Sequence, residues 1–325
     1  MSSKFDDYYY YKYSITPFFS YDYDYDYDII ENKILSHTSF GMIQLSLSLL
    51  FIVLQSFILF VIYRKKLYYN NMPYRIIMHQ GQLALFQLFG HFVTSISVIL
   101  DLDGGTLFAS IIGSLIRSCY ISCVLFIFIL TLNRLVIMYN ISYFACARKT
   151  FYTFLIALCY LITIFAFGFF LLPYFRLKYH EDLFLWYSTD YNDTISLIWI
   201  IQSKSIVTIL CISFAMHIVI LVKIIVLRCI TSKSIITLKE LNFLIYAVLN
   251  FASCAFYELC IRGLYIRIHY IKYSSAILQL IYIFVSGSNT MYTVCFVRDV
   301  RQSILPMLLK KKHIKVTKVK VVEIK

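Results

Sequence analysis

The sequence is poor in charge. Asp, Glu, Lys and Arg make up 14% of its 325 residues, against 60% hydrophobic, and so little polar surface cannot clothe soluble domains of that length. Length alone allows two such domains; composition excludes them. The motifs that carry enzyme chemistry are missing as well. There is no Gly-rich phosphate loop, His-Glu-x-x-His, Cys-x-x-Cys or Gly-x-Ser-x-Gly, so the reading is of a non-enzyme without metal or cofactor. Acids are scarce inside the apolar stretches, Glu258 being nearly alone, which argues against a proton relay of carboxylates. No cysteine precedes Cys119 and none lies between Cys159 and Cys211, so no disulfide framework is expected. The N-terminus lacks a basic start followed by an apolar core, and no cleavable signal is expected there.

What the chain has is apolar runs of membrane-crossing length. Seven fall at 39–63, 74–100, 106–139, 151–172, 195–227, 241–261 and 274–297, each long enough for a hydrocarbon core of about 30 Å. They are set off by Arg64-Lys65-Lys66, Pro73, Asp101-Leu102-Asp103-Gly104-Gly105 and Pro173. The fold expected is an all-α membrane protein, a seven-transmembrane helix bundle over residues 39–297. When loops are assigned alternately, 20 of the 30 Lys and Arg share one side with only 3 of the 17 acids, Glu240, Asp299 and Glu323. The positive-inside rule makes that side cytoplasmic and places the N-terminus outside. The net charge of +13 is then read as meeting anionic lipid, not nucleic acid. Asn192-Asp193-Thr194 is an acceptor for N-glycosylation and falls outside on this topology.

The two ends differ from the middle. Residues 1–38 hold Tyr8-Tyr9-Tyr10-Tyr11 and the alternating stretch Tyr21 to Asp28; repelling acids at every second position resist packing, so a disordered extracellular tail is expected. Residues 298–325 begin with Arg298-Asp299-Val300-Arg301-Gln302-Ser303-Ile304-Leu305, suited to a helix on the inner membrane face. They end in a run alternating Lys with Val and Ile, a cationic tail for anionic lipid.

The third run carries the polar groups on which the reading turns. Leu132-Asn133-Arg134-Leu135 closes its inner end, and Arg117 lies 17 residues earlier, about 25 Å up a helix axis. Buried charge in a membrane faces the bundle interior or water, unless the side chain snorkels to the headgroups. Both readings apply to Arg117 and to Arg134. At outer depth Arg117, Lys204 and Glu258 are candidates for binding a small molecule in a cavity between the third, fifth and sixth segments; the alternative is an internal salt bridge of Glu258 with Arg117 or Arg262. His91 and His217 are read as hydrogen-bonded packers or pH sensors.

An Asn-Arg pair ending the third of seven helices resembles the Asp-Arg-Tyr switch of rhodopsin-like receptors. The chain resembles more closely the nematode serpentine chemoreceptors of the Srt class or a near relative. The resemblance covers Tyr74-Arg75-Ile76-Ile77-Met78, Gly81, Gln87-Leu88 and His91. It continues through Ile112-Gly113-Ser114, Ser118-Cys119 and Leu130-Thr131-Leu132-Asn133-Arg134-Leu135, and extends loosely over all seven segments. It implies a rhodopsin-like G-protein-coupled architecture and a chemosensory receptor in a sensory-neuron plasma membrane. Its partners would be a small-molecule ligand and a heterotrimeric G protein, with Asn133, Arg134 and Tyr292 as the switch. The chain departs from the pattern at Ala84, where such receptors often carry a sodium-site acid, and at Ala109, where an outer cysteine is usual. Segment six has no proline, and Ser288-Asn289-Thr290-Met291-Tyr292 replaces Asn-Pro-x-x-Tyr. A transporter or channel subunit, and a receptor-like scaffold that no longer signals, are the alternatives.

Overall fold

Each apolar run forms a helix, because inside a bilayer only a helix or a closed barrel satisfies its own backbone. The structure, a computed structural model, describes residues 36–67, 69, 71–102, 107–139, 148–180, 184–188, 193–230, 238–267 and 274–308. The Tyr- and Asp-rich tail through residue 35, Asn192 and the basic tail beyond residue 308 lie outside the described residues. In chain order come α1 (His37–Arg64), α2 (Met72–Ile99), α3 (Leu107–Met138) and α4 (Arg148–Leu171). A short hairpin of β1 (Leu177–His180) and β2 (Leu185–Ser188) follows. Then come α5 (Asp193–Ile230), α6 (Leu238–Arg267), α7 (Ser274–Phe296) and α8 (Arg298–Leu308).

Six of these helices are long and apolar enough to cross a membrane; α7 joins them when taken with α8, from which it is bent by 83°. The chain is thus an all-α, multi-pass membrane bundle. α7 carries a polar face for a structural reason. Gln279, Ser286, Ser288, Asn289, Thr290 and Thr293 are all buried, whereas Ile277, Phe284 and Met291, spaced seven apart, are exposed. Every second turn therefore shows lipid an apolar side chain while the polar face turns inward, where protein partners satisfy it.

α3 is the axis of the bundle: it packs against α2, α4, α5, α6 and the hairpin. In its most apolar stretch 61% of the residues are buried, compared with 17% in α4, so α4 is a peripheral helix clad in lipid-facing Phe154, Leu161, Ile164 and Phe165. Small residues set two close approaches. The Phe51 ring lies where a Cβ on Gly287 would stand, and the Trp186 ring carbon Cε3 is 2.6 Å from a Cβ built on Gly113. Any larger residue at 287 would push α1 from α7.

The hairpin is a feature that the sequence reading leaves as irregular loop. Leu177 pairs with Ser188 and His180 with Leu185 in antiparallel register. Leu177 and Tyr179 are buried and Lys178 is not, but an alternation of four residues is too short to stand out from a polar loop. Phe184 holds the turn at φ 50°, a conformation that costs a bulky residue about 1 kcal/mol or more. Its ring compensates by packing 4.2 Å from Phe40 at the head of α1.

Candidate functional site

Polar groups gather at three levels of the bundle. At the α8 end, Arg134 and Asn133 are 2% and 1% exposed, so neither side chain snorkels out. The Arg134 guanidinium lies over the Phe243 ring of α6, 4.6 Å from its centre. Phe243 meets Tyr74 of α2 edge to face at 5.1 Å, and the Tyr74 hydroxyl donates to Asp299 Oδ2 of α8 at 2.7 Å. One chain of contacts thus joins α3, α6, α2 and α8. α5 is tied in beside it: Tyr139 donates to the Val219 carbonyl at 3.3 Å, and the Lys223 ammonium stands 5.3 Å from the Tyr139 ring centre. Both amide atoms of Asn133 are buried without a hydrogen-bond partner among the described residues.

In the middle of the bundle Tyr292 and Ser253 share a hydrogen bond of 2.6 Å between α7 and α6. Tyr246 donates to Asn289 Oδ1, Asn250 donates to the Tyr246 carbonyl at 3.0 Å, and Thr290 donates to Gln55 of α1. Above them Gln80, Gln87, Asn250, Ser286, Ser288 and Asn289 wall a cavity that also touches Ala84 and Tyr120, with room for roughly one or two waters. Gln80 Oε1 and Gln87 Nε2 are buried there without protein partners among the described residues. This cavity lies between α2, α3, α6 and α7, not between the third, fifth and sixth helices where the sequence reading puts one. Arg117, Lys204 and Glu258 do not line it.

Toward the hairpin end Arg117, Lys204 and Glu258 stand ten, eleven and nine positions from the near ends of their helices, a common depth of about 15 Å. Two of them share neighbours. Glu258 is 5% exposed and accepts a 2.7 Å hydrogen bond from Tyr120; the Tyr120 ring in turn lies 5.8 Å from the Arg117 guanidinium. Tyr257 is within electrostatic reach of both charges, and its ring stacks on Tyr282 at 4.7 Å. Arg117 itself is half-buried, 5.2 Å from the Trp199 ring centre. With its amide oxygen facing Arg117, Gln202 accepts from Nε at 2.8 Å and from Nη2 at 3.1 Å. Arg117 has no acidic partner among the described residues, and the side chain of Arg262 lies outside them. Lys204 points elsewhere, on the exposed side of α5.

His91 is fully buried, with Nδ1 3.3 Å from Gln279 Nε2, and His217 Nδ1 lies 2.8 Å from the Ser213 carbonyl oxygen; both pack inside the bundle. The sequence reading misses the roles of Phe243, Tyr74 and Asp299 around Arg134, and the inward polar face of α7. The second had a signal: Gln279, Ser286 and Thr293 recur every seven residues, as a buried helical stripe requires. No protein-family model matches the chain, and no curated protein matches it.

Proposed function

We propose that the chain is a seven-helix receptor of rhodopsin-like architecture that binds a small molecule from outside and signals to a heterotrimeric G protein. Its resemblance to the nematode serpentine chemoreceptors, carried by the second and third segments and loosely by all seven, supports reading it as a chemosensory receptor of the plasma membrane. The N-terminus is then extracellular, Asn192 is glycosylated, and the basic C-terminal tail rests on anionic lipid in the cytoplasm. The observation that carries this reading is the buried Arg134, bound over Phe243 at the end of the bundle that bears α8. A buried cation in contact with a movable neighbouring helix is a two-position device. It is costly to expose to hydrocarbon, and it is ready to bond to a cytoplasmic partner when α6 moves away.

The supporting geometry is the path from one end to the other. A ligand held at Arg117 bears on Tyr120, and through it on Glu258, Tyr257 and Tyr282. The same helices α6 and α7 carry Tyr246–Asn289 and Ser253–Tyr292 one to three turns farther on. A ligand preferring one arrangement of α6 shifts the population at Arg134. The test is expression in a reporter cell with a panel of odorants and secreted metabolites, wild type beside Arg134→Ala. A compound that signals through the wild type and not through the variant supports the proposal. A signal that survives Arg134→Ala counts against the mechanism, and ligand-gated flux in proteoliposomes would favour the transporter or channel alternative.

A further inference from the structure

The side of α3 that bears Arg117 looks onto a gap. α4 packs on α3 and hardly touches α5; what joins the two is an aromatic stack, Phe170 on Trp199, with ring centres 5.9 Å apart. Ser114 donates to the Phe170 carbonyl at 3.0 Å and Ser122 bonds to Thr163, so both seat α4 on α3. Arg117 faces Trp199 and Gln202 of α5. At 100° per residue Ile121, Leu125 and Phe128 fall between those two directions, and all three are half-buried. Below the Phe170–Trp199 stack there is thus a furrow floored by apolar side chains, about 16 Å long from Arg117 to Phe128, with one guanidinium at its head. The axial way in is covered by the hairpin: Trp186 and Leu177 sit on Gly113, one turn from Arg117, and Tyr179 and Phe184 are buried with Phe40, Val98 and Ala276.

We infer that this furrow binds a single-chain anionic amphiphile, a long-chain carboxylate, which reaches it sideways from the membrane with its head on Arg117 and its tail along Ile121, Leu125 and Phe128. The inference rests on the receptor reading of Arg117 and names the ligand class. The chemistry is direct. The half-buried Arg117 donates from Nε and Nη2 to the Gln202 amide oxygen and lies by two aromatic faces, which leaves other N–H donors of its guanidinium for a carboxylate. With α3 about 48 Å long and a hydrocarbon core of about 30 Å, Arg117 stands roughly 6 Å inside the boundary, just below the interface where a fatty-acid head rests, so the guanidinium must draw the carboxylate inward by pairing with it. Glu258 is buried and accepts a hydrogen bond from Tyr120, whose ring lies against Arg117, so it meets the head group only through Tyr120.

The test is photolabelling of the full-length protein in phosphatidylcholine nanodiscs with a diazirine-bearing dodecanoate and with the matching dodecanol. Dodecanoate labels α3, α4 and α5, dodecanol does not, and unlabelled dodecanoate competes where hexanoate fails. Arg117→Gln weakens labelling about tenfold or more, and Arg117→Lys retains most of it. If Arg117→Gln unfolds the protein, Leu125→Trp still decides: it fills the furrow, leaves the charge, and abolishes labelling at an unchanged melting temperature. Equal labelling by the alcohol, indifference to Leu125→Trp, or displacement by phosphatidylglycerol in the nanodisc overturns the inference. Loss of the ligand class with Arg134-dependent signalling intact sinks this inference alone. Labelling without any G-protein exchange sustains it and sinks the receptor reading.

Discussion

The Arg134 guanidinium carbon stands 4.6 Å from the centre of the Phe243 ring, tying α3 to α6 at the α8 end. Such a contact is worth about 2 kcal/mol when desolvated; on the proposed mechanism that is enough to hold most molecules in a closed arrangement and little enough for a ligand to overcome. Phe243→Leu keeps the bulk and removes the aromatic face. Its expected effect is a rise in ligand-free nucleotide exchange by a reconstituted G protein of roughly fivefold to thirtyfold, with a stability loss of about 2 kcal/mol. Unchanged basal exchange would show that this contact does not restrain α6.

Tyr74→Phe removes the hydroxyl that Asp299 accepts at 2.7 Å. Hydrogen bonds to charged groups contribute about 1.5–3 kcal/mol, and this one pins α8 against α2. Faster amide exchange in α8, with α1 to α3 unaffected, is the expected outcome by mass spectrometry. Protection of α8 identical to wild type would mean that the packing of Val297 and Val300, both buried, holds the helix unaided.

How much of this was readable beforehand depends on the kind of residue. The helices were legible because lipid enforces long apolar runs, and because Arg64-Lys65-Lys66 and Pro173 mark where runs stop. Arg134 was legible because a cation inside such a run has few bland explanations. Its partner was not: Phe243 is one of 28 phenylalanines, and nothing local marks the one that meets a guanidinium. Lys204 looked equivalent to Arg117 because α5 is apolar around its whole circumference, so periodicity assigns its residues no face. The hairpin was hidden by its four-residue strands, and Trp186 on Gly113 joins residues far apart in the chain.

The Tyr292–Ser253 bond invites a double-mutant cycle. Tyr292→Phe and Ser253→Ala are each expected to destabilise the bundle modestly, with a coupling energy near 0.6 kcal/mol, the average for hydrogen bonds between membrane helices. Thermal unfolding of the four proteins in one detergent measures it. Strictly additive effects would remove Tyr292 from the link between α6 and α7.

Gly113→Val forces the Trp186 ring from its seat, because even a Cβ at 113 would stand 2.6 Å from Cε3. With two tryptophans in the chain, a Trp199→Phe background isolates Trp186. Its emission should shift to the red as the indole meets water, with a stability loss of about 1–3 kcal/mol. An unshifted spectrum would mean that the hairpin does not rest on α3.

The central claim is an odd number of crossings, with the Arg134 end of the bundle in the cytoplasm. Epitope tags at the two termini, probed with antibody before and after permeabilising the cell, test it most directly. The N-terminal tag should bind antibody on intact cells and the C-terminal tag only after permeabilisation. Both tags reporting the same compartment would contradict the seven-crossing arrangement and the signalling role assigned to Arg134.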